Sequence, residues 1–209
     1  MSIKRLCAYC GNPSDKRDKE HVFPRNLYPP SKANSKIQML TIPACNKCNN
    51  SWADDEVQFR NMLVVAGDPP SLVREELWKT TINRSFDLGD GFKRMNDLLS
   101  QMKYVTREER DGHMVFPGDD PRVIRVCKKI IRGLCYYHNV DWPISDERVL
   151  VDVLKFEIPK YVLDEMEYHH RDPDIVQYRF AIINNENIQS VWLITFFRTV
   201  TFIGWVSIN

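Results

Sequence analysis

The stretch that decides the fold reads Cys7-Ala8-Tyr9-Cys10-Gly11, then Glu20-His21-Val22-Phe23-Pro24, then Pro43-Ala44-Cys45-Asn46-Lys47-Cys48-Asn49. Its first and last parts are CxxC pairs, in which two intervening residues allow both sulfurs to turn toward one ion. Zn²⁺ prefers four such ligands in a tetrahedron. In a chain of ordinary size this paired spacing indicates metal binding before it indicates disulfides. We therefore predict a structural zinc ion bound by Cys7, Cys10, Cys45 and Cys48.

Residues 1–52 are rich in turn formers, which exclude a mostly helical segment. Their apolar side chains are too few for an independent core, so a metal has to help hold the segment together. Four unrelated buried cysteines are the alternative, but buried core cysteines have no reason to pair at this spacing. The gap of 34 residues between Cys10 and Cys45 exceeds the roughly 15–20 of a simple zinc ribbon. The Glu20-His21 segment is thus an insertion within the zinc site.

The insertion contains Lys19-Glu20-His21-Val22-Phe23-Pro24-Arg25. An acid followed directly by a histidine can bind a divalent metal on one side of the backbone while the histidine faces a substrate on the other. A structural histidine is the alternative that these residues alone leave open. The ordered elements CxxCG, Glu-His-Val-x-Pro and CxxCN resemble the HNH endonucleases, whose nuclease fold is called ββα-metal. The resemblance covers roughly residues 5–60.

The resemblance implies a role for each element of the motif. The four cysteines match those that hold the structural zinc, and His21 matches the general base that takes a proton from water. Glu20 and Asn49 match the ligands of a catalytic Mg²⁺ or Mn²⁺, with Asn50 a weaker candidate for the same position. The implied activity is metal-dependent hydrolysis of phosphodiester bonds, in DNA before RNA, although RNA is not excluded as a partner.

One element departs from the family pattern. Relatives usually carry an asparagine a few residues before the second CxxC pair, where it braces the loop that bears the histidine. The nearest counterpart is Gln38, which can donate and accept the same hydrogen bonds with a longer arm. Asn34 lies further upstream. The alternative function is a zinc-bound module that binds nucleic acid or protein and whose nuclease centre is inactive.

Charge is distributed unevenly along the chain. Residues 1–53 contain nine basic and three acidic residues, a formal charge of +6, whereas residues 54–209 have a formal charge of −5. A basic surface attracts phosphates from solution, although a merely solvated surface is the other interpretation. We expect Arg25, Lys32 and Lys36 to contact the phosphate backbone of nucleic acid.

We predict an α+β protein with an HNH module over residues 1–65 and an α+β region of unknown role over residues 66–209, which can pack on the first. Helical periodicity predicts a helix capped by Asp54 or Asp55 and a helical region over 71–102 broken near 87–91. It also predicts a helix over 122–138, with Lys129 among the basic residues of its polar face. Residues 102–121 are rich in turn formers. Strands that form a C-terminal antiparallel sheet are predicted over 176–183, 189–197 and 200–208.

The remaining chemistry-bearing residues favour structural roles. Cys127 and Cys135 lie on an apolar helical pattern and are assigned to the core, while His169 and His170 lie in a charged stretch that is typical of a surface. No run of residues approaches the roughly 18 apolar positions needed to span a bilayer. The first residues lack the apolar run of a secretory signal. We therefore expect a cytoplasmic protein with no membrane partner.

Overall fold

Helices and antiparallel strands alternate along the chain in the computed structural model, which describes residues 5–14, 19–33, 39–66, 71–87, 89–107, 110–115 and 117–208. This mixture confirms the predicted α+β class. Short two-stranded pairs occupy the N-terminal part, and one five-stranded sheet occupies the C-terminal part. Within the described ranges, no helix is both long and apolar enough to cross a membrane.

The N-terminal part consists of very short elements. They are β1 (Arg5–Leu6), β2 (Pro13–Ser14), β3 (Lys19–His21), α1 (Pro30–Ala33), β4 (Thr41–Pro43) and α2 (Asn46–Asn49). Strands β1 and β2 form one antiparallel pair, and β3 and β4 form another. Prolines and glycines between these elements prevent longer helices from forming, as predicted.

Helix α3 (Ala53–Val65) follows the second CxxC pair after four residues. The prediction that Asp54 or Asp55 caps this helix was wrong, because the cap position is Trp52 and no side chain bonds there. Both aspartates instead lie in the first turn together with Glu56. Carboxylates in a first turn stabilise a helix because they face its unpaired N–H groups.

The predicted helical region is present, together with a hairpin that the sequence did not indicate. The helices are α4 (Leu72–Leu77), which continues through a π-helical turn over Trp78–Ile82 into α5 (Asn83–Phe86), and α6 (Gly91–Gln101). The Ser71 hydroxyl caps α4 by accepting from the Arg74 N–H at 3.2 Å. Strands β5 (Lys103–Arg107) and β6 (Arg110–Val115) form an antiparallel pair within the stretch that was interpreted as turn-rich.

Helix α7 (Pro121–Tyr137) is the longest helix and matches the predicted one to within a residue at each end. The Asp120 carboxylate caps it by accepting from the Arg122 N–H at 2.8 Å. Its apolar face is buried, and Cys127 and Cys135 lie in the core as predicted.

The five-stranded sheet closes the C-terminal part. Its elements are β7 (Val149–Val153), α8 (Lys160–Asp164, outside the sheet), β8 (Glu167–Asp172), β9 (Val176–Ile182), β10 (Ile188–Phe196) and β11 (Val200–Ser207). The strand order is β7-β11-β10-β9-β8, and every pairing is antiparallel. Alternate side chains such as Tyr178, Trp192 and Phe196 are buried on one face, which confirms the predicted antiparallel sheet.

The N-terminal and C-terminal parts share one hydrophobic core. The Phe59 ring lies 5.2 Å from the Phe196 ring, and the Phe23 ring lies 5.7 Å from the Tyr178 ring, between ring centroids. Residues from both predicted regions, 1–65 and 66–209, therefore contribute side chains to this core. The division between them stays a prediction.

Gly133 is the point at which α7 approaches the β3–β4 pair. A Cβ atom built on Gly133 would lie 3.1 and 3.2 Å from the two methyl groups of Val22 and 3.3 Å from Ile42 Cδ1. These distances are tighter than ordinary carbon–carbon contact. Because Gly133 has no side chain, α7 can lie directly against the β3–β4 pair, in which β3 carries Glu20 and His21.

We predict that Gly133→Val destabilises the protein by about 1–3 kcal/mol, the usual effect of overpacking a well-packed core. The double variant Gly133→Val/Val22→Ala should recover part of this loss, because it removes the methyl groups that the new side chain meets. Urea unfolding of the wild type, both single variants and the double variant measures the coupling. Additive effects of the two substitutions would contradict the proposed contact.

Candidate functional site

The four predicted zinc ligands meet at one place. Their sulfur atoms all lie within 4.8 Å of one another, and Cys10 Sγ is 3.8 Å from Cys45 Sγ. A tetrahedron with Zn–S bonds of about 2.3 Å requires sulfurs roughly 3.8 Å apart. The cluster therefore fits a structural metal ion such as zinc.

Backbone hydrogen bonds bring the two CxxC turns together. The first turn closes through Gly11 N–H to Cys7 O at 2.9 Å, and Gly11 has a φ of +70°, which side-chain-bearing residues rarely adopt. The second turn closes through Asn49 N–H to Cys45 O at 2.8 Å. A bond from Ala8 N–H to Pro43 O, at 2.9 Å, joins the two.

The thiols of the cluster have unequal proton affinities. Burial acts to raise the pKa of Cys7, but N–H groups of Cys45, Cys10 and Tyr9 hydrogen-bond to its sulfur and lower the pKa to about 7. Burial and the neighbouring sulfurs raise the pKa of Cys48 above that of an ordinary thiol. Four adjacent thiolates repel one another, and a bound divalent cation is the group that would let all of them ionise.

Glu20 and His21 lie on opposite faces of β3, as alternation along a strand requires. Glu20 pairs with Ile42 of β4 and is 8% exposed, whereas His21 pairs with Thr41 and is half-buried. Burial raises the pKa of Glu20, although the Lys129 ammonium opposes this rise. Burial also lowers the pKa of His21, with contributions from Arg25 and Lys129, so its imidazole is neutral at pH 7.

A lysine from α7, Lys129, forms an ion pair with Glu20. The Lys129 side chain is fully buried, and its ammonium donates to Glu20 Oε1, to Glu56 Oε1 and, at 3.0 Å, to the carbonyl oxygen of His21. The ammonium also lies 5.4 Å from the centre of the Trp52 ring. All three of its N–H donors therefore have acceptors, and one ammonium bridges two carboxylates.

Sequence reasoning missed the role of Lys129. The helical pattern placed it on the polar face of the helix with the neighbouring basic residues. Position 129 is nevertheless next to Ile130, three residues after Val126 and four before Gly133, within the buried row of α7. The sequence could have shown this role, because a lysine among the buried positions of a helix requires a charged partner.

Two side-chain atoms near the predicted centre are buried and lack hydrogen-bonding partners. They are Nδ1 of His21 and Oδ1 of Asn49. Among the described residues, no side-chain hydrogen bond joins Glu20, His21 and Asn49 to one another, and the only cluster of three or more Cys, His, Asp or Glu ligands is the cysteine one. A carboxylate and an amide oxygen are nonetheless the ligand types that Mg²⁺ prefers.

The predicted nucleic-acid contacts differ in their surroundings. Arg25 is exposed at the start of a 3₁₀ turn over Arg25–Leu27. Lys32 of α1 forms an ion pair with Asp172 of β8 at 2.8 Å. Lys36, together with Gln38 and Asn34, lies outside the described residues. Arg25 is therefore the clearest candidate of the three for an exposed phosphate contact.

No family model, curated protein or solved structure matches this chain.

We predict that the purified protein holds about one Zn²⁺ per chain. Cys45→Ser should lose this zinc and unfold the N-terminal part, because its apolar content is too small to fold without a metal. Elemental analysis and circular dichroism provide the measurement. Cys127→Ala is the matched control, since Cys127 is equally a free thiol but lies away from the cluster. Folded wild-type protein without zinc would contradict the assignment.

We predict that Lys129→Met destabilises the protein by about 3–5 kcal/mol at pH 7, because it leaves two carboxylates buried without their cation. The pKa of Glu20 is already raised, and losing Lys129 raises it further. A raised carboxyl pKa favours folding below its unfolded value and opposes folding as pH rises through the folded value. The deficit should therefore shrink toward pH 5.

Urea unfolding at both pH values measures this effect. Lys128→Met is the matched control, because Lys128 donates to the Asp146 carbonyl oxygen and, among the residues that the structure describes, pairs with no carboxylate. A deficit for Lys129→Met that is the same at pH 7 and pH 5 would argue against the bridged carboxylates.

Proposed function

We propose that this protein is an HNH-type, metal-dependent endonuclease that hydrolyses phosphodiester bonds, with DNA as its principal substrate. The observation that carries the proposal is the state of His21, a neutral imidazole with an unpartnered Nδ1. In the sequence, His21 directly follows the buried Glu20 and lies between the two CxxC pairs. The paired strands β3 and β4, followed by helix α3, also agree with the strand and helix order of a ββα-metal module.

His21 is suited to act as a general base. A neutral imidazole has one nitrogen that accepts a proton, and a lowered pKa keeps it in this form below the ordinary value of about 6.5. General-base catalysis by a positioned side chain typically contributes about 10²–10⁴-fold. In this proposal His21 removes a proton from the water that attacks the phosphorus atom.

Glu20 and Asn49 are the residues that would hold the catalytic Mg²⁺ or Mn²⁺. Asn49 Oδ1 is buried and unpartnered, which suits a metal ligand. Lys129 bonds to Oε1 of Glu20 and thereby fixes the carboxylate, as hydrogen bonds to ligating carboxylates commonly do. A divalent ion, when bound, would supply positive charge to the phosphate and to the leaving oxygen.

The substrate assignment rests on charge. The formal excess of +6 over residues 1–53 favours a polyanion, and the exposed Arg25 guanidinium can contact a phosphate in a bidentate way. Arg25 also lies close enough to lower the pKa of His21. A phosphate bound by Arg25 would therefore lie near the proposed base.

A second candidate function is a zinc-bound module that binds nucleic acid or protein without cleaving it. The specific observation in its favour is that the Lys129 ammonium bridges Glu20 and Glu56. An ammonium there supplies the positive charge that a divalent ion would otherwise bring to Glu20. The two functions differ in whether the protein cleaves nucleic acid when Mg²⁺ or Mn²⁺ is added.

We predict that His21→Ala lowers plasmid nicking by about 10²–10⁴-fold while zinc content, folding and DNA affinity remain near wild type. Glu20→Gln and Asn49→Ala should instead raise the concentration of Mg²⁺ or Mn²⁺ needed for half-maximal rate, with partial rescue by excess metal. The acid limb of the wild-type pH–rate profile should fall below about 6.5, since the pKa of His21 is lowered.

The measurement is plasmid nicking across a metal titration, with an EDTA-quenched reaction as the blank. His170→Ala is the matched control, because His170 is an exposed histidine on β8. A His21→Ala protein that cuts at the wild-type rate would exclude the HNH mechanism. Wild-type protein that is inert on DNA and RNA with both metals would favour the binding module.

A further inference from the structure

A polar cleft of about 480 Å³ lies among α3, α5, α6 and the start of α7. It involves none of the residues of the zinc cluster or of the Glu20–His21 site. Its volume is in the range of small-molecule sites. The lining residues on which the argument depends are Asp54, Arg60, Asn61, Arg94, Asp97 and Arg122.

Arg60 is the unusual member of this lining. The residue is only 6% exposed, and its Nε and Nη2 donate to the side-chain oxygen of Asn61 at 3.0 and 2.7 Å. Within the described part of the chain, no carboxylate lies within ion-pair distance of its guanidinium. Burial lowers the pKa of Arg60 to about 10, so it keeps its positive charge at pH 7.

Three arginines that are less buried than Arg60 have anionic partners. Arg122 pairs with Asp120 at 2.9 Å, Arg125 with Asp55 at 2.5 Å and Arg148 with Asp141 at 2.9 Å. A buried charge without a counter-ion is costly, because neither water nor an opposite charge compensates for its lost hydration. The Arg60 guanidinium donates to the neutral side-chain amide of Asn61 instead. Its positive charge is therefore available to pair with an anionic ligand.

The charges around the cleft favour an oxyanion. Arg60, Arg94 and Arg122 line it. Arg122 already pairs with Asp120, and one nitrogen of Arg94 donates to the Ser85 carbonyl oxygen. The donors that remain on these guanidinium groups can bind different oxygens of a tetrahedral anion. The carboxylates of Asp54 and Asp97 also line the cleft, but both residues are exposed and water screens them. The buried Arg60 charge is therefore the least screened charge in the cleft.

We infer that this cleft is a binding site for a phosphate-class oxyanion and that Arg60 is its principal ligand. The anion is either a free phosphate, alone or as part of a nucleotide, or a backbone phosphate of a nucleic-acid strand. The site acts by binding alone, and it does not depend on cleavage at His21.

The binding role of Arg60 can be separated from its effect on stability. Arg60→Met removes a buried charge that has no counter-ion, which favours the folded state, but it also leaves the buried Asn61 Oδ1 without its two donors, which opposes folding. The unfolding temperature of the anion-free protein should therefore change little, whereas the stabilisation that added phosphate provides should be lost.

The test is isothermal titration calorimetry together with thermal unfolding, without added divalent metal and at constant ionic strength set with NaCl. The probes are inorganic phosphate, a 5′-mononucleotide, a short single-stranded DNA and acetate. We expect phosphate or a phosphate-bearing probe to bind and to raise the unfolding temperature. Arg60→Met should weaken this binding by about 10–100-fold, the usual effect of losing a hydrogen bond to a charged group.

Arg84→Met is the matched control, because Arg84 is an exposed arginine on α5 outside the cleft lining, and its affinity should match the wild type. Preference for inorganic phosphate or the mononucleotide would assign a small-molecule site, and preference for the oligonucleotide would assign a strand contact. The inference would be overturned if wild type bound no phosphate-bearing probe, if Arg60→Met bound as tightly as wild type, or if acetate bound as well as phosphate.

Discussion

The buried ammonium of Lys129 is the interaction on which the rest of the arrangement depends. It joins α7, at the centre of the C-terminal part, to Glu20 and the carbonyl oxygen of His21 in the β3–β4 pair, and to Glu56 in α3. Without the ammonium, the two carboxylates would repel each other and would be removed from water without a compensating charge. Gly133, one helical turn along α7, provides the close approach that makes this bridge possible. The motif carried by the N-terminal part is thus completed by a residue more than one hundred positions away.

A second set of contacts ties the cysteine cluster to the same helix. Arg132 of α7 donates to the carbonyl oxygen of Tyr9 at 2.7 Å, and its guanidinium lies 5.4 Å from the centre of the Tyr9 ring. The Tyr9 ring in turn packs 4.7 Å from the ring of Trp52, between centroids. The first CxxC turn therefore has support from α7 in addition to its metal ligands. This support explains how a segment with few apolar residues becomes part of a shared core.

Local patterns predicted much of the fold. The CxxC spacing identified the cysteine cluster, helical periodicity identified α7, and β-branched and aromatic residues identified β9, β10 and β11. The interpretation of residues 102–121 as turn-rich missed β5 and β6, although Tyr104, Val105 and Val115 are residue types that favour strands. Local patterns alone did not show that Lys129 is buried or that Arg60 lacks a counter-ion. Both facts depend on which residues from distant parts of the chain come together, and the sequence of one helix does not contain that information.

The most direct test of this account is the location of bound metals in crystals soaked with Mn²⁺, measured by anomalous scattering at the zinc and manganese absorption edges. The account predicts a zinc peak surrounded by Cys7, Cys10, Cys45 and Cys48, and a separate manganese peak in contact with Glu20 and Asn49, with the Lys129 ammonium still bonded to Glu20. Manganese that fails to bind beside Glu20 at any concentration, while zinc remains in the cysteine cluster, would contradict the nuclease assignment.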